Sequence, residues 1–184
     1  MVKNGCAVAV VLVTLVAACS TSPSSTTSAN SQPAVALTWV NPGGTTEWGV
    51  ALPIGNSDAA VFGLGEVCTE GVEADIVSAR LGDSDRVKVR IRPAARTDLF
   101  GARTGSLETL GLSRLGTSVK TVCSRATPAG DEVLVEVSIP PGVGRAFGSP
   151  LVMTYEDRRG RTGKLSIPVT LGLCRATDRC APQG

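Results

Sequence analysis

The chain carries six cysteines and no histidine, and these two facts bound the chemistry it can do. Without an imidazole there is no Ser-His-Asp or Cys-His pair, and the commonest general base and the commonest neutral metal ligand are both missing. A Ser-Lys mechanism needs a lysine base. Beyond Lys3 the chain has only Lys88, Lys120 and Lys164, with no S-x-x-K, and Thr117-x-x-Lys120 is a chance echo. Carboxylates remain. Two of them flanking a glycosidic bond can hydrolyse it, and Glu66, Glu70, Glu73, Asp75, Glu108, Asp131 and Glu156 are present, but no spacing singles out a pair. Gly63-Leu64-Gly65 lacks the third glycine and the following helix of a dinucleotide site. Asp83-x-Asp85 lacks the glycine and terminal glutamate of a calcium loop.

Four of the cysteines, Cys68, Cys123, Cys174 and Cys180, lie in the part of the chain that reads as a globular domain. An even number in an exported domain predicts two disulfides, and four cysteines allow three connectivities. The favoured one joins Cys68 to Cys123 and Cys174 to Cys180, the second pinning the C-terminal tail to the last strand. Zinc sites want closely paired ligands such as C-x2-C, whereas 54, 50 and 5 residues separate these cysteines and there is no histidine. Copper carriers want clustered methionine and histidine, and Met153 is the only methionine beyond the first residue. No metal and no cofactor is expected.

Cys19 sits in a different context. Lys3 gives a positive start, and from Ala7 to Ala18 only Thr14 is polar. A helix over that apolar run rises about 18 Å, short of the roughly 30 Å of bilayer hydrocarbon, so it suits a cleavable leader better than a permanent span. It ends in Val16-Ala17-Ala18-Cys19, which resembles the lipobox of bacterial lipoproteins. The resemblance covers about the first twenty residues. It implies that residues 1–18 are a signal peptide, and that Cys19 receives a diacylglyceryl thioether and becomes the first residue of the mature chain. Cys6 lies inside the leader and is read as incidental. Ser20 to Pro33 has no charge and no large apolar residue, so it cannot bury enough surface to fold. Residues 19–34 are therefore expected to form a lipidated tether. Its fourteen linker residues would reach about 46–50 Å fully extended and about 20 Å as a coil.

A domain over residues 35–184 must position whatever else the protein does. Its apolar stretches are short and split by Gly, Pro, Asp and Asn, and several alternate with period two. Strands are predicted at Ala36–Val40, Glu47–Pro53, Ala59–Leu64, Val72–Leu81, Arg86–Arg92, Ser118–Val122, Glu132–Ile139, Leu151–Tyr155 and Lys164–Leu173. Val87, Val89 and Ile91 face inward, with Lys88, Arg90 and Arg92 opposite. Val133, Val135, Val137 and Ile139 face inward, with Glu132 and Glu136 turned to solvent. Pro168 cannot donate a ladder hydrogen bond and places an edge or bulge in the last strand. Tyr155 to Leu165 reads as a hairpin turning at Asp157-Arg158-Arg159-Gly160. Thr97 to Leu115 does not fit, and reads as a long loop or a helical turn near Ser106-Leu107-Glu108. Trp39, Trp48, Phe62, Phe147 and Tyr155 are the aromatic core candidates. About eight or nine strands with turns between them predict an all-β fold, an antiparallel sandwich of immunoglobulin-like type.

The formal charge of +2 is too small for a nucleic-acid binder. Arg80, Arg86, Lys88, Arg90, Arg92, Arg96 and Arg103 nevertheless enrich one region in cations, and Arg158, Arg159, Arg161 and Lys164 decorate the hairpin. They read as solvated outer faces, with Glu132 and Glu136 available as cross-strand partners. Docking to anionic wall polymers or lipid headgroups is the functional alternative. The expected function is that of a membrane-anchored surface or periplasmic lipoprotein with a non-catalytic binding or scaffolding domain. Its expected partners are the membrane, an envelope protein or an anionic wall polymer. The alternatives are an envelope glycan enzyme using Asp or Glu, and a carrier of a small apolar ligand.

Overall fold

A computed structural model describes residues 36–40, 48–93, 98–124, 129–175 and 180. The expected leader, Cys19 and the tether lie outside these residues, as do the turn at Asn41-Pro42-Gly43-Gly44, Glu47, Arg96 and the side chain of Trp48. The described fold is all-β, as the alternating apolar pattern predicts. Its strands are β1 (Leu37–Val40), β2 (Trp48–Pro53), β3 (Ala59–Thr69), β4 (Ala74–Leu81), β5 (Val87–Arg92) and β6 (Ala102–Thr104). They continue with β7 (Ser118–Val119), β8 (Asp131–Ser138), β9 (Arg145–Gly148), β10 (Leu151–Asp157), β11 (Thr162–Ile167) and β12 (Val169–Cys174).

Three sheets share one core. The first runs β1-β3-β8-β5, with β6 added along β3; the second runs β11-β10-β4-β7; the third runs β2-β12-β9. Inward residues of all three meet in one apolar cluster that includes Phe62, Leu64, Val89, Ile91, Val133, Val135, Met153, Tyr155, Ile167, Leu171 and Leu173. Among the described strands the pairing is antiparallel except between β2 and β12, which run parallel from Val169 beside Trp48 to Cys174 beside Pro53; a parallel bridge also joins Thr69 to Val122. Strands β6 and β9 carry too few apolar residues to be seen in the sequence.

Several boundaries follow from single residues. The expected strand Lys164–Leu173 is two strands, because Pro168 has no N–H and the ladder stops there. Upstream of it β11 pairs with β10, and downstream β12 joins another sheet, while Ile167 and Val169 on either side are both fully buried. In β4, Ala74 and Ile76 face the core, then the register against β10 shifts between Thr154 and Tyr155. The extra residue is Val77, which is turned outward and 54% exposed, and the inward phase resumes at Ala79 and Leu81.

The aromatic expectations divide. Phe62 and Tyr155 are buried in the core, as expected. Trp39 is half-buried and donates its indole N–H to the carbonyl of Leu64 at 2.9 Å. Phe147 is a correction: it is 37% exposed. It lies on edge strand β9 directly opposite Gly172, where a Cβ would come within 2.2 Å of its ring, so the ring covers a bare stretch of backbone. Tyr155 covers its cross-strand neighbour Gly163 in the same way.

The β10–β11 hairpin forms where the sequence places it, and Asp157 organises its turn. The carboxylate accepts the backbone N–H groups of Arg159 at 2.8 Å and Arg161 at 3.1 Å, and it ion-pairs with the Arg161 guanidinium at 2.6 Å. Gly160, at φ 73°, supplies the left-handed residue that closes the turn. The hydrogen bond from the Arg161 side chain, helped by the backbone N–H groups, holds the Asp157 carboxyl down at about 2 against an ordinary 3.8. The folded pKa is the lower one, so this stabilisation is fully present above the unfolded value and is lost as pH falls through about 2. Asp157→Asn should therefore be less stable than the native chain at neutral pH, and the gap between their urea midpoints should narrow below about pH 4. A gap that stays constant down to pH 2 would refute the assignment.

Candidate functional site

Sequence reasoning gives β8 one apolar face and one solvated face. The structure corrects this: every residue from Asp131 to Val137 is buried. Val133, Val135 and Val137 face the core, while Glu132, Leu134 and Glu136 face a second apolar cluster on the outside of the sheet. That cluster is built by the segment the strand pattern could not place. Residues 98–115 fold back over the first sheet as a flap, bringing Leu107 onto Val61 and Leu134, with Phe100, Leu110, Leu112 and Leu115 around them.

Local chemistry shapes the flap. Strand β6 adds to β3, with Val61 opposite Arg103. A single helical turn follows at the expected Ser106-Leu107-Glu108. Ser106 and Thr109 cap its start reciprocally: the Ser106 N–H reaches the Thr109 hydroxyl at 2.8 Å, and the Thr109 N–H reaches the Ser106 hydroxyl at 3.1 Å. Gly111, at φ 71°, ends it. The N–H of Leu112 bonds to the carbonyl of Leu107 at 2.7 Å, and that of Gly111 to Glu108 at 3.0 Å, the Schellman pairing. The apolar contact that goes with this cap is Leu107 with Leu112, and both belong to the outer cluster.

The two buried glutamates hold the flap at both ends. Glu132 accepts the N–H of Phe100 at 2.7 Å, and Glu136 accepts the N–H of Leu107, also at 2.7 Å. Each also has a cation directly across the β5–β8 ladder. Lys88 reaches Glu136 at 2.9 Å, and Arg92 ion-pairs with Glu132. The expected cross-strand charge pairs therefore form, but beneath the flap. Arg92, expected on the solvated face, is 7% exposed and also donates to the carbonyl of Asp98 at 2.5 Å. The backbone approaches closely at Gly63, whose N–H bonds to Gly101 at 2.6 Å; a Cβ there would stand 3.1 Å from that of Phe100 and 2.5 Å from the Glu132 carboxylate.

Between the flap and the end of β5 lies a cleft of about 600 Å³. Phe100, Leu110, Leu112 and Leu115 form its apolar wall, and Arg92, Arg103 and Arg114 its cationic one; among the described residues Asp98 is the only carboxylate along it. The Arg103 guanidinium sits 5.0 Å over the ring of Phe100, within cation–π range. No spacing rule could have found this cleft, because its walls come from β5 and from a stretch without strand periodicity.

Most of the carboxylates named from the sequence are engaged elsewhere; Asp75 and Glu156 are the pair brought opposite each other, on the exposed side of the β4–β10 ladder. Asp131 accepts the backbone N–H groups of Lys120 and Thr121 at 2.6 and 3.0 Å. Glu66 accepts the N–H of Gly130 at 3.0 Å, and Asp75 bonds to Ser118. Glu73 is held below the ordinary carboxylate range chiefly by its hydrogen bond from Arg158, with Lys120 3.4 Å away. Glu70, Glu108 and Glu156 are exposed. Among the described residues no group of three or more cysteine, aspartate or glutamate side chains is placed to hold a metal. Cys68 is bonded to Cys123 with their Cα atoms 5.0 Å apart, and Cys174 to Cys180 at 5.4 Å. The first fastens the segment after β7 to β3, where Cys123 donates its N–H to Thr69 at 2.9 Å. No family model matches the chain, and no curated protein matches it.

Removing one partner from a buried ion pair costs about 3–5 kcal/mol. Glu132→Gln, which leaves the Arg92 guanidinium buried without its counter-charge, should lower unfolding free energy in urea by about 3 kcal/mol and speed proteolysis within residues 98–115. Lys88→Met should cost less than Glu132→Gln, because the Lys88 side chain is 66% exposed and the Glu136 carboxylate keeps the N–H of Leu107. Equal losses in the two variants would mean that the flap is not pinned in this way.

Proposed function

We propose that the protein is a lipoprotein anchored through Cys19 to the extracytoplasmic face of a membrane, and that its β domain binds a ligand rather than turning one over. The observation that carries the binding reading is the cleft under the flap. Its walls are leucines, a phenylalanine and arginines, and among the described residues it holds one carboxylate where glycoside hydrolysis wants two about 5–9.5 Å apart. The two glutamates nearest the flap already accept backbone N–H groups and face cations, which suits holding a shape more than moving a proton.

The cleft favours a small ligand over a scaffolding role. Small-molecule sites usually span about 300–1,000 Å³, and this one lies in that range. A stable protein interface needs about 800 Å² from each partner. The anchor reading rests on the order of leader, small residues, cysteine and uncharged linker in the sequence. A diacyl or triacyl anchor binds a membrane durably where one chain does not, and the linker would let the domain stand off the headgroups.

The anchor is tested by metabolic labelling with an alkyne fatty acid. The native chain should incorporate label and fractionate with membranes. Cys19→Ser should lose the label and either keep its leader or appear in the medium. Normal processing and membrane retention of Cys19→Ser would sink the lipoprotein reading.

A further inference from the structure

The cleft holds two chemistries side by side. On one wall Phe100, Leu110 and Leu112 are only partly buried, so each presents apolar surface to the opening. On the other, three guanidinium groups face one carboxylate, Asp98. Arg103 and Arg114 are exposed, and neither makes an ion pair with any described residue. Arg92 also lines the cleft, but it is ion-paired with Glu132, and its Nε and the Glu132 Oε2 are both buried without a hydrogen-bond partner.

We propose that the cleft binds a small amphipathic anion, its apolar tail lying on Phe100, Leu110 and Leu112 and its carboxylate or phosphate head held by Arg103 and Arg114. This deepens the binding reading above and rests on it. Guanidinium forks suit either head group, since both offer paired oxygens. The apolar wall argues against a hydrophilic wall polymer, which would leave it uncovered. The surplus of cations argues against a neutral lipid, which would leave Arg103 and Arg114 unanswered.

Photo-crosslinking of the full chain, held in neutral maltoside detergent, decides the matter. The probes are diazirine-bearing dodecanoate, dodecyl phosphate and dodecanol, with adducts mapped by mass spectrometry. At least one anionic probe should label the peptide containing Leu110 to Leu115 saturably. Dodecanol should do so about tenfold more weakly, as should the anionic probes on the Arg103→Gln/Arg114→Gln variant, whose changes are at exposed positions. Preference for dodecanoate identifies a fatty-acid-like ligand and preference for dodecyl phosphate a lipid-phosphate one; either supports the assignment. Dodecanol labelling as strong as that of the anions would overturn it while leaving a small-ligand cleft standing. Saturable labelling by none of the three would remove both.

Discussion

The flap stays on the sheet because two carboxylates sit where strand alternation would have put them in water. Glu132 and Glu136 are an even number of residues apart on β8, so they project from the same face. Each accepts one backbone N–H from the flap and faces one cation on β5. Charge-assisted bonds of this kind are stronger than neutral ones and strengthen further when water is excluded. The dependence runs both ways. The leucines of the flap exclude the water, and the carboxylates satisfy N–H groups that the flap could not otherwise bury. Neither half is stable in that position without the other. The cleft lies beside this arrangement, between the end of β5 and the side chains of the flap.

Lys88 and Arg92 show how one sequence pattern serves two ends. Both alternate outward from β5, and both find a glutamate across the ladder. Lys88 is at the open side, its ammonium still largely in water, so its pairing is worth little. Arg92 lies under the flap, and its pairing with Glu132 allows a guanidinium to be buried at all. Arg92 answers both Glu132 and the Asp98 carbonyl through Nη2, while its Nε is left without a hydrogen-bond partner.

Much of the fold is legible in the sequence, for a reason that also explains where reading fails. Period-two alternation reports a sheet with one wet face, and β5, β10 and β11 have that pattern. The disulfide pairing is legible too, because Cys174 and Cys180 are close enough to meet across a short tail. The outward glutamates of β8 are misread because alternation cannot tell a solvated face from one covered by a non-periodic segment. The outward turn of Val77 is not legible, because a bulge resets the phase inside a single strand. Phe147 is misread because its partner, Gly172, leaves no trace in a hydropathy pattern. The cleft is unreadable for the same reason as the flap: its residues are brought together by capping, a positive-φ glycine and two long-range carboxylate bonds. Ser106-Leu107-Glu108 was the only hint of that turn.

The parallel pairing of β2 with β12 bears on how the chain reaches this state. It joins residues near the start of the described domain to residues near its end, and no shorter-range strand replaces it. The chain-entropy cost of such a contact must be met before the contact is gained, which makes it a late event in folding. β9 on the other flank also waits on β12. A chain emerging from its N-terminus through a membrane would therefore have its first strands outside for some time before the third sheet could form. During that interval the exposed edge of β2 has no partner within the molecule.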